Sequence, residues 1–241
     1  MLRLATSRTL ILLSSFIVAA LPTFAATTIF SENFSTNGTL NGMSPDVGGT
    51  WSGSSGLTVE DGVLDTALSN TPSPDSISAS FTQALGSGEI LGLSFITTET
   101  QGLFATNGYA GLTLYAGGTE YFFIGSPGLV DEWGITGTGL SASTQTFTPA
   151  LTAEAQTVYF TYEYDTGDWS LNIGGENLNG TGVANLEIDS VGIVSDGYNI
   201  ADIAISSIGL ELIPIPEPGS YALLFAGGLL GLLVLRRRIT K

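Results

Sequence analysis

Between Thr157 and Tyr164 the chain reads Thr-Val-Tyr-Phe-Thr-Tyr-Glu-Tyr, rich in β-branched and aromatic residues. At period two, Val158, Phe160 and Tyr162 share one face of a strand. Asp165-Thr-Gly-Asp168 reads as a turn. Trp169–Ile173 reads as the returning strand, with Trp169, Leu171 and Ile173 on one face and Gly174-Gly175 ending it. Gly111–Ala116 and Tyr121–Ile124 form a second pair, joined through Gly117-Gly118. Further strand-like runs are Gly56–Glu60, Val63–Ala67, Ser76–Phe81, Ile90–Thr97, Leu186–Ser195 and Ala201–Glu211. No segment upstream of the C-terminal tail shows a persuasive helical period. Many short strands with glycine-rich turns predict an all-β fold, a sandwich or a barrel.

The two ends break this pattern. Met1–Thr9 carries Arg3 and Arg8, and Leu10–Leu21 is apolar apart from Ser14 and Ser15. Pro22 interrupts the run, and Thr23-Phe24-Ala25 places small residues at a cleavage site. This is the pattern of a secretory signal peptide over residues 1–25, with an N-terminal signal helix. At the other end, Tyr221–Leu235 is uncharged and would form a helix of about 22 Å, against a hydrocarbon core of ~30 Å. Arg236, Arg237 and Arg238 follow it. They would act as a membrane stop, able to snorkel into headgroups and resisting translocation, which leaves the upstream region outside.

Charge sharpens the division. The chain has 241 residues and a net charge of −16, and its six basic residues are Arg3, Arg8, Arg236, Arg237, Arg238 and Lys241. All 22 acidic residues lie between Glu32 and Glu217. The stretch between the two ends therefore carries no base. That opposes nucleic-acid binding and offers no cationic clamp for phosphate. The chain lacks both histidine and cysteine, which excludes Ser-His-Asp and Cys-His catalysis, His-based metal sites and disulfides.

Pro216-Glu217-Pro218, the Tyr221–Leu235 helix with its glycines, and Arg236–Arg238 stand in that order. This tripartite tail resembles the PEP-CTERM sorting signal of Gram-negative bacteria. The resemblance implies processing by an exosortase, a membrane cysteine protease or transpeptidase, near the Pro-Glu-Pro, and delivery to the cell surface or extracellular matrix. An uncleaved membrane anchor is the alternative. The domain division expected is 1–25 signal peptide, 26–213 β domain and 214–241 sorting signal.

The β domain is similar to the concanavalin A-like (laminin-G-like) jelly roll. The resembling parts are Phe30-Ser-Glu-Asn-Phe34, the Tyr164–Leu171 hairpin, and the closing Ala201–Leu210. The resemblance implies an antiparallel jelly-roll sandwich whose first and last strands pair at one edge. It also implies a calcium ion between those strands, which would implicate Glu32 and Asp202. The turn at Asp165 and Asp168 is a second place for calcium, although Asp in turns commonly bonds local backbone amides.

Only carboxylate chemistry remains for catalysis. Jelly-roll glucanases carry Glu-x-Asp-x-x-Glu on one strand, and the nearest match is Glu187-Ile-Asp189-Ser-Val-Gly192. Glycine stands where the proton donor belongs, so a retaining mechanism lacks its acid. Glu187 and Asp189 then read as a solvated strand face opposite Leu186, Ile188 and Val191. Asp131-Glu132-Trp133 reads as a loop after Pro127-Gly128. For sugar binding, Trp51, Trp133, Trp169 and several tyrosines could stack on rings. Trp169 is expected in the core, which leaves Trp133 as the surface candidate. Asn33, Asn37 and Asn179 begin Asn-x-Ser/Thr triplets and read as turns. The expected protein has no catalytic residues and is an exported structural or carbohydrate-binding component. Its partners would be an exosortase, the membrane before processing, and extracellular polysaccharide, with no nucleic acid and calcium as the candidate ion. A glycoside hydrolase-like domain with an incomplete site and a membrane-anchored adhesion protein stay open as alternatives.

Overall fold

Alternation along Thr157–Glu163 does what period two dictates: Val158, Phe160 and Tyr162 are fully buried, while Thr157 and Tyr159 are exposed. The computed structural model describes residues 25–53, 56–66, 75–98, 108–127, 132–142, 144–147, 155–195 and 203–216. All belong to one compact unit, Phe24–Pro216. The expected signal and tail helices, Glu217, Pro218, Arg236–Arg238 and Asp202 lie outside the described residues.

The strands are β1 Thr27–Glu32, β2 Gly38–Thr39, β3 Ser52–Gly53, β4 Thr58–Glu60, β5 Val63–Asp65, β6 Asp75–Ser80, β7 Glu89–Thr97 and β8 Ala110–Ala116. They continue as β9 Thr119–Ser126, β10 Gly134–Thr136, β11 Gln145–Thr146, β12 Thr157–Glu163, β13 Asp168–Ile173, β14 Glu176–Thr181, β15 Ser190–Ser195 and β16 Ala204–Pro214. Among the described residues they form two antiparallel sheets. One has nine strands, in the order β14-β13-β12-β7-β16-β5-β4-β2, with β1 also paired to β16. The other has seven, in the order β11-β10-β9-β8-β15-β6-β3.

The inner faces of the sheets make the core. Leu91, Leu93 and Phe95 of β7, with Ile208, Leu210 and Leu212 of β16, share one buried cluster with Leu112, Leu114, Phe122, Ile124 and Ile193 from the other sheet. Phe122 reaches across the layer, its ring 5.3 Å from Phe160 and 5.2 Å from Tyr162. The alternation leaves a sandwich or a barrel open; the fold observed is the all-β antiparallel sandwich that the jelly-roll resemblance implies.

Several boundaries differ. β1 and β16 do pair, but β16 is interior rather than at an edge. It carries β7 along one side, and β5 and then β1 along the other. Its buried Ile205, Ile208, Leu210 and Leu212 explain that central place. The run Leu186–Ser195 is a strand only from Ser190. Upstream of it, the buried Tyr162 hydroxyl donates to Val183 O at 2.6 Å and accepts from Leu186 N at 3.3 Å, holding this stretch in an irregular path. Gly174 and Gly175 do end β13, as expected, but the chain does not leave the sheet there. Their φ values of 58° and 92° make a two-residue turn into β14, a strand the hydrophobic pattern does not reveal.

Burial pushes the Tyr162 hydroxyl above its ordinary 10.0, and does the same for Tyr115 and Tyr159. A pKa raised on folding means that the folded state resists the tyrosinate form. This stability is complete below about pH 10 and is lost as pH rises through the raised values. Denaturant melts across pH 8–12 should therefore show a falling midpoint above about pH 10, and Tyr162→Phe should make that fall shallower. An equally steep fall in the variant would refute the assignment to Tyr162.

Candidate ligand-binding face

The outer face of the nine-stranded sheet is assembled from residues that alternate with the core. Register places Asn177, Asn172, Tyr159, Ser94, Gly209 and Ser31 in one row across six strands. The next row on that face is Asn179, Ser170, Thr161, Gly92, Glu211 and Thr28. Nearly every side chain here is a hydroxyl, an amide or a carboxylate.

Neighbours within each row are linked across the strands. Asn172 Nδ2 donates to Asn177 Oδ1 at 2.7 Å, and the Thr161 and Ser170 hydroxyls lie 2.7 Å apart. Tyr159 is 38% exposed, the large aromatic of these two rows and open to solvent. A Cβ at position 92 would stand 3.3 Å from the Tyr159 hydroxyl and 3.2 Å from Glu211 Cγ, so glycine leaves both side chains room above the strand. Burial, and then the Glu211 carboxylate, raise the Tyr159 pKa and keep its hydroxyl neutral and able to donate. An open ring beside ordered amide and hydroxyl groups can stack on one face of a ligand and hydrogen-bond its rim.

The residues singled out from sequence fall elsewhere. Trp133 is 3% exposed and packs on Phe95 at 6.1 Å, so it is a core residue and not a surface platform. Its polar neighbours concealed a side chain that reaches inward just ahead of β10. Trp51 and Trp169 are also buried. Glu32, at the end of β1, is 7% exposed, and its carboxylate accepts Phe34 N at 2.7 Å and Trp51 Nε1 at 3.0 Å. It borders a cleft of about 280 Å³ that Ser35, Thr36, Ser44 and Asp46 also line. These are hard oxygen donors of the kind calcium takes, and Glu32 keeps lone pairs beyond the two in use. No group of three Asp, Glu, His or Cys residues converges among the described residues.

Glu187 and Asp189 do not share a strand face, because β15 starts after them. Asp189 instead accepts Gly117 N at 3.0 Å and the Ser190 hydroxyl at 2.7 Å. Asp165 reaches beyond its own turn, accepting the Ser87 hydroxyl and Gly88 N, each at 2.8 Å. Asn33 does form a local turn, accepting Ser35 N at 2.9 Å, whereas Asn179 lies within β14. Sequence reasoning missed Tyr159, Asn172, Asn177 and Glu211 as a group. The available signal was the polar half of the β12 and β13 alternation.

Among solved structures, the receptor binding domain of botulinum neurotoxin mosaic serotype C/D matches with a TM-score of 0.52 at 11% identity, over 83% of this chain and 50% of that one. The VIP36 exoplasmic/lumenal domain, in a Ca2+/Man-bound form, matches at 0.50 and 11%, over 78% of this chain and 92% of that one. The botulinum neurotoxin serotype D binding domain matches at 0.50 and 11%, over 84% and 51%. This chain thus spans about half the length of the toxin domains, and at these identities the likeness is one of fold. A search of curated proteins by sequence finds no match. The model of the PEP-CTERM protein-sorting motif matches residues 214–238. The chain therefore carries a PEP-CTERM protein-sorting motif at its C-terminal end, following an antiparallel β-sandwich whose fold is like that of these domains.

Proposed function

We propose that this is an exported, non-catalytic carbohydrate-binding or structural component of the surface or extracellular matrix of a Gram-negative bacterium. Residues 1–25 act as a signal peptide with its helix, and residues 26–213 fold outside the inner membrane. Residues 214–241 are the sorting signal: Pro216, Glu217 and Pro218, a membrane helix, and the Arg236–Arg238 stop. An exosortase processes it there. The sorting motif supports export, and the lectin-like fold supports a binding role.

The observation that carries the binding role is the open Tyr159 ring among Asn172, Asn177, Ser94 and Glu211. With no base between Thr9 and Leu235, the face suits neutral, hydroxyl-rich polysaccharide rather than an anionic polymer. Calcium belongs to this reading as an ion at the oxygen-lined cleft beside Glu32; Asp202 is a separate candidate, since β1 sets Ile208, six residues further along, opposite Glu32.

The test is a glycan array on residues 26–215, run with and without calcium. Tyr159→Ala should weaken binding about tenfold or more, as truncating an aromatic anchor does. Unchanged binding by this variant would move the site elsewhere. Signal that does not depend on calcium would remove the ion from the reading.

A further inference from the structure

The sorting motif begins on the last rung of the sandwich. Pro214, the first residue matched by the motif, closes β16 opposite Glu89 of β7. Ile215 N then donates to Gly88 O at 2.7 Å. Pro216, the first proline of Pro-Glu-Pro, follows with no spacer and is half-buried, as Ile215 is. The residues that receive this end are themselves braced. Asp165 accepts the Ser87 hydroxyl and Gly88 N at 2.8 Å each, Gly86 N donates to Glu89 Oε2 at 2.9 Å, and Tyr164 N donates to Glu89 O at 3.2 Å. β1 starts beside the same end, with Thr27 opposite Leu212.

The approach from the other side is also short. Five residues lead from Pro216 to Tyr221, a reach of at most about 18 Å fully extended. An enzyme that takes the Pro-Glu-Pro backbone into its active site needs that backbone free on its edges. Here one edge of the residue immediately before Pro-Glu-Pro is hydrogen-bonded to Gly88.

We propose that the folded sandwich clasps its own sorting motif, so that the processing enzyme reaches it only when the end of β16 peels away from Gly88 and Glu89. This rests on the reading of residues 214–238 as a processed sorting signal. Strand ends open locally at far lower cost than the whole fold, so the clasp sets a rate and does not forbid processing. Asp165 is a positioning residue in this device: it holds the Ser87–Gly88 backbone to which Ile215 bonds.

The test is pulse–chase of the full chain in a bacterium that carries an exosortase, with the new C-terminus identified by intact mass. A Gly-Ser insertion between Ile215 and Pro216 should speed processing several-fold. Asp165→Ala should do so to a lesser degree. The same insertion between Gly174 and Gly175, in the turn between β13 and β14, should leave the rate unchanged. Faster processing from the insertion after Ile215 but not from the one after Gly174 supports the clasp, as does a parent unprocessed within the chase beside a processed insertion variant. Equal rates in all chains overturn it while leaving the sorting reading intact. Retention of the tail in every chain overturns both.

Discussion

Replacing Phe122 with alanine should destabilise the sandwich by about 3–5 kcal/mol, lowering its melting temperature by roughly 6–20 °C. Phe122 projects fully buried from β9 and is a ring that bridges the two sheets, meeting Phe160 and Tyr162 of β12. Neither sheet can close over the space, because each backbone is held by its own ladder. The cost therefore includes both the lost transfer of the ring and the cavity it leaves. Phe122→Leu retains much of the volume and should cost less. A melting temperature within about 2 °C of the parent for Phe122→Ala, in calorimetry of residues 26–215, would refute this bridging role; roughly 1 kcal/mol already shifts a domain of this size by that much.

Glu32→Leu should be nearly as damaging. The carboxylate answers two buried donors, Phe34 N and Trp51 Nε1. Leucine leaves both unpaired, at about 1–3 kcal/mol each. It also frees Phe34, which sits at φ 52°, a conformation a bulky residue holds only under local restraint. Glu32→Gln keeps one acceptor but turns an amide NH2 toward the other donor, so it should fall between leucine and the parent. Trp51 emission reports the site directly, since the indole is fully buried and bonded to Glu32. Denaturation midpoints that match the parent for both variants would show that the pair contributes nothing to stability.

The β12–β13 hairpin is legible in the sequence because its signal is local: three apolar residues alternate on each strand, and a turn lies between them. β14 is not, because Glu-Asn-Leu-Asn-Gly-Thr has a single large apolar residue, Leu178, to set against the core and so no apolar alternation. It is a strand because β13 supplies its ladder and Gly174-Gly175 supplies the turn. Trp133 misleads for a related reason. Acids and a glycine beside it suggest solvent, but a loop side chain can enter a core that its neighbours never touch. Glu32 could not have been paired with Trp51, nineteen positions away, without the fold.

The order of charges, the missing histidine and cysteine, the alternating strands and the contiguous sorting tail were all determined by the chain read alone, because each depends on residue type or short spacing. Tertiary structure alone decided that Tyr159, Asn172, Asn177 and Glu211 share an open face, that Trp133 is buried, and that the motif starts on a hydrogen-bonded rung beside Gly88. Those facts depend on sheet order and register. Both are set by pairing between strands far apart in the chain, where the free energy comes from closing the common core and no local pattern encodes the partner.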